Sequence, residues 1–248
     1  MRVPLTAHPP APERSRALAD VRDAIVTCDR CLRLRSYCAR IAREKKAAHR
    51  DDTYWGRPVP GFGDPSARVL VLALAPAAHG ANRTGRVFTG DAPGGSGDFL
   101  MRAMHAAGFA NIPTSRHPED GLQLDDAYIA AAVRCAPPDN KPTPDEILAC
   151  HPHLVAEAAA LPQVRVIVAL GRIGFDAAWR LLAGRGILVK PKPAFGHGLV
   201  YHPSPRMSVV ASYHPSRQNT NTGVLTPPML ESVFKTARHL ARGAERPA

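Results

Sequence analysis

Arg68-Val-Leu-Val-Leu-Ala-Leu74, followed at once by Ala75-Pro76-Ala77-Ala78-His79-Gly80, is the stretch that decides the fold. An apolar run without polar alternation is the pattern of a strand covered on both faces. Three further strand candidates lie at 128–133, 164–170 and 208–213. Stretches with helical spacing separate or follow them at 97–107, 144–161, 173–182 and 227–242. Thr143-Pro144-Asp145-Glu146 opens the second of these with a cap, a first-turn proline and a capping-box glutamate. Strands alternating with helices give an α/β fold with a mostly parallel sheet and helices on both faces. Ligands then bind beyond the strands' carboxyl ends.

Upstream, 16–46 reads as one or two helices, with Leu18, Val21, Ile25 and Leu32 at helical spacing. The same segment carries Arg30, Arg33, Arg35, Arg40, Arg43, Lys45 and Lys46, a solvated face or a DNA contact. Residues 1–14 are rich in Pro and Ala and are expected to form a disordered tail. Residues 15–248 are expected to form a single domain without internal repeats.

Composition narrows the classes. With 45% hydrophobic residues in 248, the chain can bury a substantial core and is not a disordered tail. No apolar run approaches the ~20 residues of a membrane span, so no membrane partner is expected. The net charge of +11 favours a polyanion such as nucleic acid, though it also suits a merely soluble basic protein. Five cysteines, an odd number, and no signal-like start point to a cytoplasmic setting with metal-bound thiolates rather than disulfides.

Four of those cysteines form two pairs: Cys28 with Cys31, and Cys135 with Cys150. Two such pairs make a four-thiolate site joining the N-terminal segment to the middle of the chain. Spacing leaves zinc and iron–sulfur both open. Cys38 stands outside the pattern.

The loops after the strands hold the unusual polar residues. After the first come Arg83 and Arg86, suited to a phosphate, and Phe88, suited to stacking on a base. The plainer reading is a Gly-rich connection with a buried Phe. After the last comes Ser212-Tyr-His214-Pro-Ser-Arg217-Gln218-Asn219-Thr-Asn-Thr-Gly223. A histidine at a strand end, in a polar loop opening toward a helix, is placed to stabilise an anion.

Three stretches together resemble the family 5 uracil-DNA glycosylases, the UDGb type. They are Ala75-Pro-Ala-Ala-His-Gly-Ala-Asn-Arg-Thr-Gly-Arg86 with Phe88-Thr-Gly-Asp91, then Ala131-Ala-Val-Arg-Cys-Ala-Pro-Pro-Asp-Asn-Lys-Pro-Thr-Pro144, then Ser212 to Gly223. The resemblance runs from about residue 20 to 240. It implies a three-layer α/β sandwich with a four-stranded parallel sheet between helices. It also implies one [4Fe–4S] cluster per chain on Cys28, Cys31, Cys135 and Cys150, with Cys38 no ligand.

The implied activity is hydrolysis of the N-glycosidic bond of uracil, and of other deaminated bases such as hypoxanthine, in flipped nucleotides of double-stranded DNA. In that resemblance His214 donates to the departing base. Asp91 stabilises the sugar cation or orients water, Asn140 positions water or base, and Asn219 helps hold the flipped nucleotide. Ala75, Ala77, His79 and Phe88 form the substrate pocket, and Arg83, Arg86, Arg217 and Gln218 contact DNA. A monomer is expected.

Two points of detail bear on these assignments. His202-Pro-Ser-Pro205 matches the general glycosylase signature literally, but His202 falls in a Pro-rich connection and is expected to be structural. His214 follows a buried run and is the better donor. Relatives also carry an acidic or amide residue at the end of the first strand, where this chain has Leu74-Ala75-Pro76-Ala77. The neighbouring family 4 has an Asn where Ala131 stands. Both departures imply broader base tolerance. The competing readings are a family 4 enzyme strict for uracil and a non-catalytic, metal-bearing nucleic-acid binding protein.

Overall fold

The computed structural model describes residues 11–243. Six strands form one sheet: β1 Phe62–Gly63, β2 Val69–Ala73, β3 Ala127–Ala131, β4 Val166–Leu170, β5 Val200–Ser204 and β6 Met207–Ser212, in the order β1-β3-β2-β4-β6-β5. The four expected strands are the inner ones, and they run parallel. Every residue of each is buried, as their unbroken apolar runs require.

The expectation of four strands in all is corrected to six, because β1 and β5 pair antiparallel on the two edges. Neither edge has a strand-like sequence. β1 has two residues, and β5 is half-exposed and contains Pro203, which an edge tolerates. His202, expected in an irregular connection, lies on this edge strand.

Two short helices, α3 (Ala81–Thr84) and α7 (Arg217–Asn221), lie in the loops after β2 and β6. Longer helices cover both faces of the sheet. On one, Val69, Val71 and Ala73 pack with Leu100 and Met104 of α4 (Ser96–Ala106) and with Val233 and Phe234 of α8 (Pro227–Arg242). On the other, Leu70 and Leu72 pack with Leu154 of α5 (Pro144–Ala160) and with Phe175 and Leu182 of α6 (Gly171–Gly184). The alternation along β2 is the period-2 geometry of a strand acting between two layers. Gly174 lets α6 press close, since a Cβ there would meet the Leu72 carbonyl oxygen at 2.5 Å.

Two N-terminal helices, α1 (Ala11–Val26) and α2 (Leu32–Glu44), pack outside this sandwich. Helix α1 starts inside the stretch expected to be a tail, and residues 1–10 lie outside the described ones. Leu34 and Cys38 of α2 are buried against Val133, Cys135 and Cys150. The capping box that starts α5 also fastens α2. The Glu146 carboxylate accepts from the Thr143 backbone N–H at 2.8 Å and takes the Arg33 guanidinium at 2.7 and 2.8 Å.

Candidate active site

The carboxyl ends of β2, β3 and β6 open onto a cavity of about 490 Å³. Leu74 and Ala75 close its floor after β2, and Ala130 and Ala131 line it from β3. Phe88 and Asp91 come from the loop after β2, Asn140 from the loop after β3, and His214, Arg217 and Gln218 from the loop after β6. Ala77 also lines it. Three loops far apart in sequence meet here because β3 and β2 are neighbours in the sheet, β6 lies one strand beyond across β4, and all of them run parallel, which puts their carboxyl ends on one edge.

The loop after β2 is shaped to present Phe88. Its backbone is left-handed, at φ 53°, a conformation rare for an aromatic residue. Gly97 makes room, since a Cβ there would lie 2.2 Å from the Phe88 carbonyl oxygen. The Phe88 ring stacks beside the His214 imidazole, with centroids 5.7 Å apart and planes at 27°. Burial lowers the His214 pKa to about 4, so the ring is neutral near pH 7 and keeps one N–H to donate. Its carbonyl accepts from the Asn219 side-chain amide at 2.8 Å.

Asp91 accepts from the Gly97 backbone N–H at 3.2 Å. Burial raises its pKa, while that N–H and the nearby Arg217 pull it back toward the ionised form. Asp139 and Asn140 both adopt left-handed backbone, at φ 52° and 56°, which turns the loop so that Asn140 stands exposed on the rim.

The model of the Uracil DNA glycosylase superfamily matches residues 60–238. A "Type-5 uracil-DNA glycosylase" of Thermus thermophilus is 49% identical over 88% of this chain and 95% of its own. One of Mycobacterium bovis is 47% identical over 91% of this chain and 82% of its own. A "Type-4 uracil-DNA glycosylase" of Pyrobaculum aerophilum is 31% identical over 53% of this chain and 58% of its own. The chain belongs to the type-5 uracil-DNA glycosylases.

In this type-5 glycosylase several of the residues expected at the site have partners or surroundings of their own. Arg83 and Arg86 are each paired with a carboxylate. Arg86 is buried, paired with both oxygens of Asp120 at 2.8 Å, and bonded to Thr89 Oγ1, Ser115 Oγ and the Pro118 carbonyl. Arg83 pairs with Asp52 at 2.6 Å and bonds the carbonyls of His79 and Gly90. Both hold the loop that carries Phe88. Arg217 and Gln218, by contrast, are exposed at the cavity mouth.

His79 does not line the main cavity. It faces a neighbouring groove of about 400 Å³, where its Nδ1 lies 3.0 Å from the Tyr54 hydroxyl. Asn219 is also off the cavity wall, its amide spent on the His214 carbonyl. His202 points elsewhere, exposed, with Nδ1 2.9 Å from Ser208 Oγ. Asp139 and Ser216 line the cavity without having been singled out. Their only sequence signal is adjacency to Asn140 and Arg217.

The cysteine site draws Cys28, Cys31, Cys135 and Cys150 around one small pocket, with Leu34 and Val133 among its walls. Among the described residues, no three Cys, His, Asp or Glu side chains are close enough to hold a single metal ion. An iron–sulfur cluster takes one thiolate per iron, so it needs four thiols around a shared space rather than around one point. Four thiols lining one pocket are the donor set that such a group takes. The Arg134 backbone N–H already reaches Cys150 Sγ at 3.2 Å. Burial pushes the Cys150 thiol up to about 11, and Cys135 is raised by its contact with Cys38 and by burial. Binding a cation there would release protons.

Proposed function

We propose that this glycosylase removes uracil, and with it other deaminated bases such as hypoxanthine, from double-stranded DNA. The observation that carries this reading is the stacking of a neutral His214 beside Phe88 on the wall of a cavity whose β3 side is Ala130 and Ala131. The target nucleotide leaves the stack and its base enters against Phe88. The C1′–N bond then breaks, a water oxygen bonds C1′, and the water's proton ends on the departing base. Negative charge builds on the base carbonyl as it leaves.

His214 donates its N–H to that oxygen and strengthens the contact as charge develops. The Asp91 carboxylate faces the cationic sugar. Arg217 and Gln218, at the mouth, hold the flanking backbone, and Asn140 closes the rim over base and water. Base range follows from β3. With Ala131 in the wall, no buried amide is left unpaired when a purine replaces uracil, so discrimination against hypoxanthine is weak.

Cys28, Cys31, Cys135 and Cys150 would hold a [4Fe–4S] cluster, one per chain. Bound there, it supplies a structural link rather than a reaction step. It would join α2, with Arg35 and Arg40, to the loop that carries Asn140. Chromatographic release of free base from duplexes with a single uracil or a single hypoxanthine tests the reading. Release of both supports it, release of uracil alone removes the broader range, and release of neither ends it.

A further inference from the structure

The imidazole of His197 lies at the root of the loop that carries His214, in the connection between α6 and β5. Its Nδ1 accepts from the Tyr213 backbone N–H at 3.2 Å and lies 3.3 Å from Ser212 Oγ. Ser212, fully buried, gives its hydroxyl proton to the Tyr213 carbonyl at 2.9 Å. The other ring nitrogen faces the Met229 carbonyl at the start of α8. A backbone N–H is always a donor, so Nδ1 carries no proton and the ring is neutral, with its N–H toward Met229. The ring also leans on the Tyr213 ring, 5.1 Å away at 35°. Backbone bonds from Gly198 N–H to the Ala211 carbonyl at 2.8 Å and from Ala211 N–H to the Leu199 carbonyl at 2.9 Å fix the segment against β6.

These contacts converge on His214. The peptide group before it is held at the Tyr213 carbonyl by Ser212, and the one after it at its own carbonyl by the Asn219 amide at 2.8 Å. Pro215 has no N–H with which to add a further anchor. We propose that His197 is a positioning residue for His214, fixing the donor's backbone through Tyr213 and Ser212. It tethers that backbone to α8 and so sets where the His214 N–H points. His197 itself lies outside the cavity wall. A donor placed ahead of the charge it stabilises acts only if its location is held within a fraction of an ångström.

This inference rests on His214 being the donor, and a double-mutant cycle separates the two ideas. Single-turnover cleavage of a uracil duplex is measured for the full chain, His197→Ala, His214→Ala and the double variant, with duplex affinity and thermal midpoint alongside. We expect His197→Ala to slow cleavage about tenfold with unchanged affinity. On the His214→Ala background the same change should cost less than about twofold, because the group it positions is gone. His197→Asn, whose side-chain oxygen can still accept from Tyr213, should recover most of the rate at unchanged thermal midpoint.

Equal losses on both backgrounds with a slow His214→Ala would overturn this inference alone. So would a His197→Asn as slow as His197→Ala. A normal rate in His214→Ala would remove the donor reading, and the inference with it.

Discussion

The Phe88 ring and the His214 imidazole lie 5.7 Å apart with their planes at 27°, although 126 positions separate them in the chain (214 − 88). The loop after β2 and the loop after β6 supply one ring each. Their meeting sets an aromatic ring and an imidazole side by side on the wall of the cavity.

Acid should unfold the protein in a defined window. His214 and His153 are both lowered to about 4 by burial, against an ordinary value of 6.5. The unfolded chain therefore takes up protons at these sites before the folded one does. Stability held above about pH 6.5 is lost as the pH falls toward 4. A thermal midpoint that fell between pH 6.5 and 4 would agree, and His153→Gln should lessen the fall. A flat midpoint over that range would contradict it.

Asp91 works in the opposite direction. Burial raises its folded pKa, so its ionised form costs stability at neutral pH and that cost vanishes once both states are protonated. Asp91→Asn keeps an oxygen to accept from Gly97. It should raise the thermal midpoint at pH 7, leave it unchanged below the ordinary carboxylate range, and slow base release. A variant that is slower but no more stable at pH 7 would show that burial does not strain this carboxylate.

Two arginines of similar sequence context should separate cleanly. Arg86→Ala breaks its pair with the half-buried Asp120, which keeps its backbone N–H donors, and should cost roughly 1–3 kcal/mol of unfolding free energy. Arg217→Ala should leave the denaturation midpoint alone, weaken duplex binding and reduce its salt dependence by about one phosphate contact. Denaturant titration and binding at several salt concentrations read both, and the reverse pattern would return Arg86 to the DNA face.

For the cysteine site, anaerobically purified protein should contain iron and sulfide. Cys135→Ser or Cys150→Ser should lose both together with folded yield, because thiolate ligation is coupled to folding. Cys38→Ser should retain both, since Cys38 Sγ lies against the Ala136 carbonyl at 3.5 Å and outside the pocket wall. One zinc per chain without iron would rule the cluster out.

What the sequence made legible follows from physics that acts locally. The inner strands announce themselves because burial on two faces demands unbroken apolar runs. The α5 cap is legible because Thr143 and Glu146 are only three residues apart. The edge strands are not legible because β1 has only two residues and a distant partner, and β5 is half-exposed and carries Pro203. The partners of Arg83 and Arg86 are illegible for a related reason. A sequence displays a cation but not the carboxylate that neutralises it, and Asp52 and Asp120 lie 31 and 34 residues away. His197 carries no signal at all, because its role is set by a backbone N–H 16 residues onward.

The most direct measurement is single-turnover cleavage of a uracil duplex by His214→Ala and by His202→Ala. One well-placed donor to a developing anion is worth ~10²–10³ in rate. His214→Ala should lose about that much with duplex binding intact, and His202→Ala, on an exposed edge strand, should cleave at the normal rate. A severe loss in His202→Ala with a mild one in His214→Ala would contradict the placement of the donor.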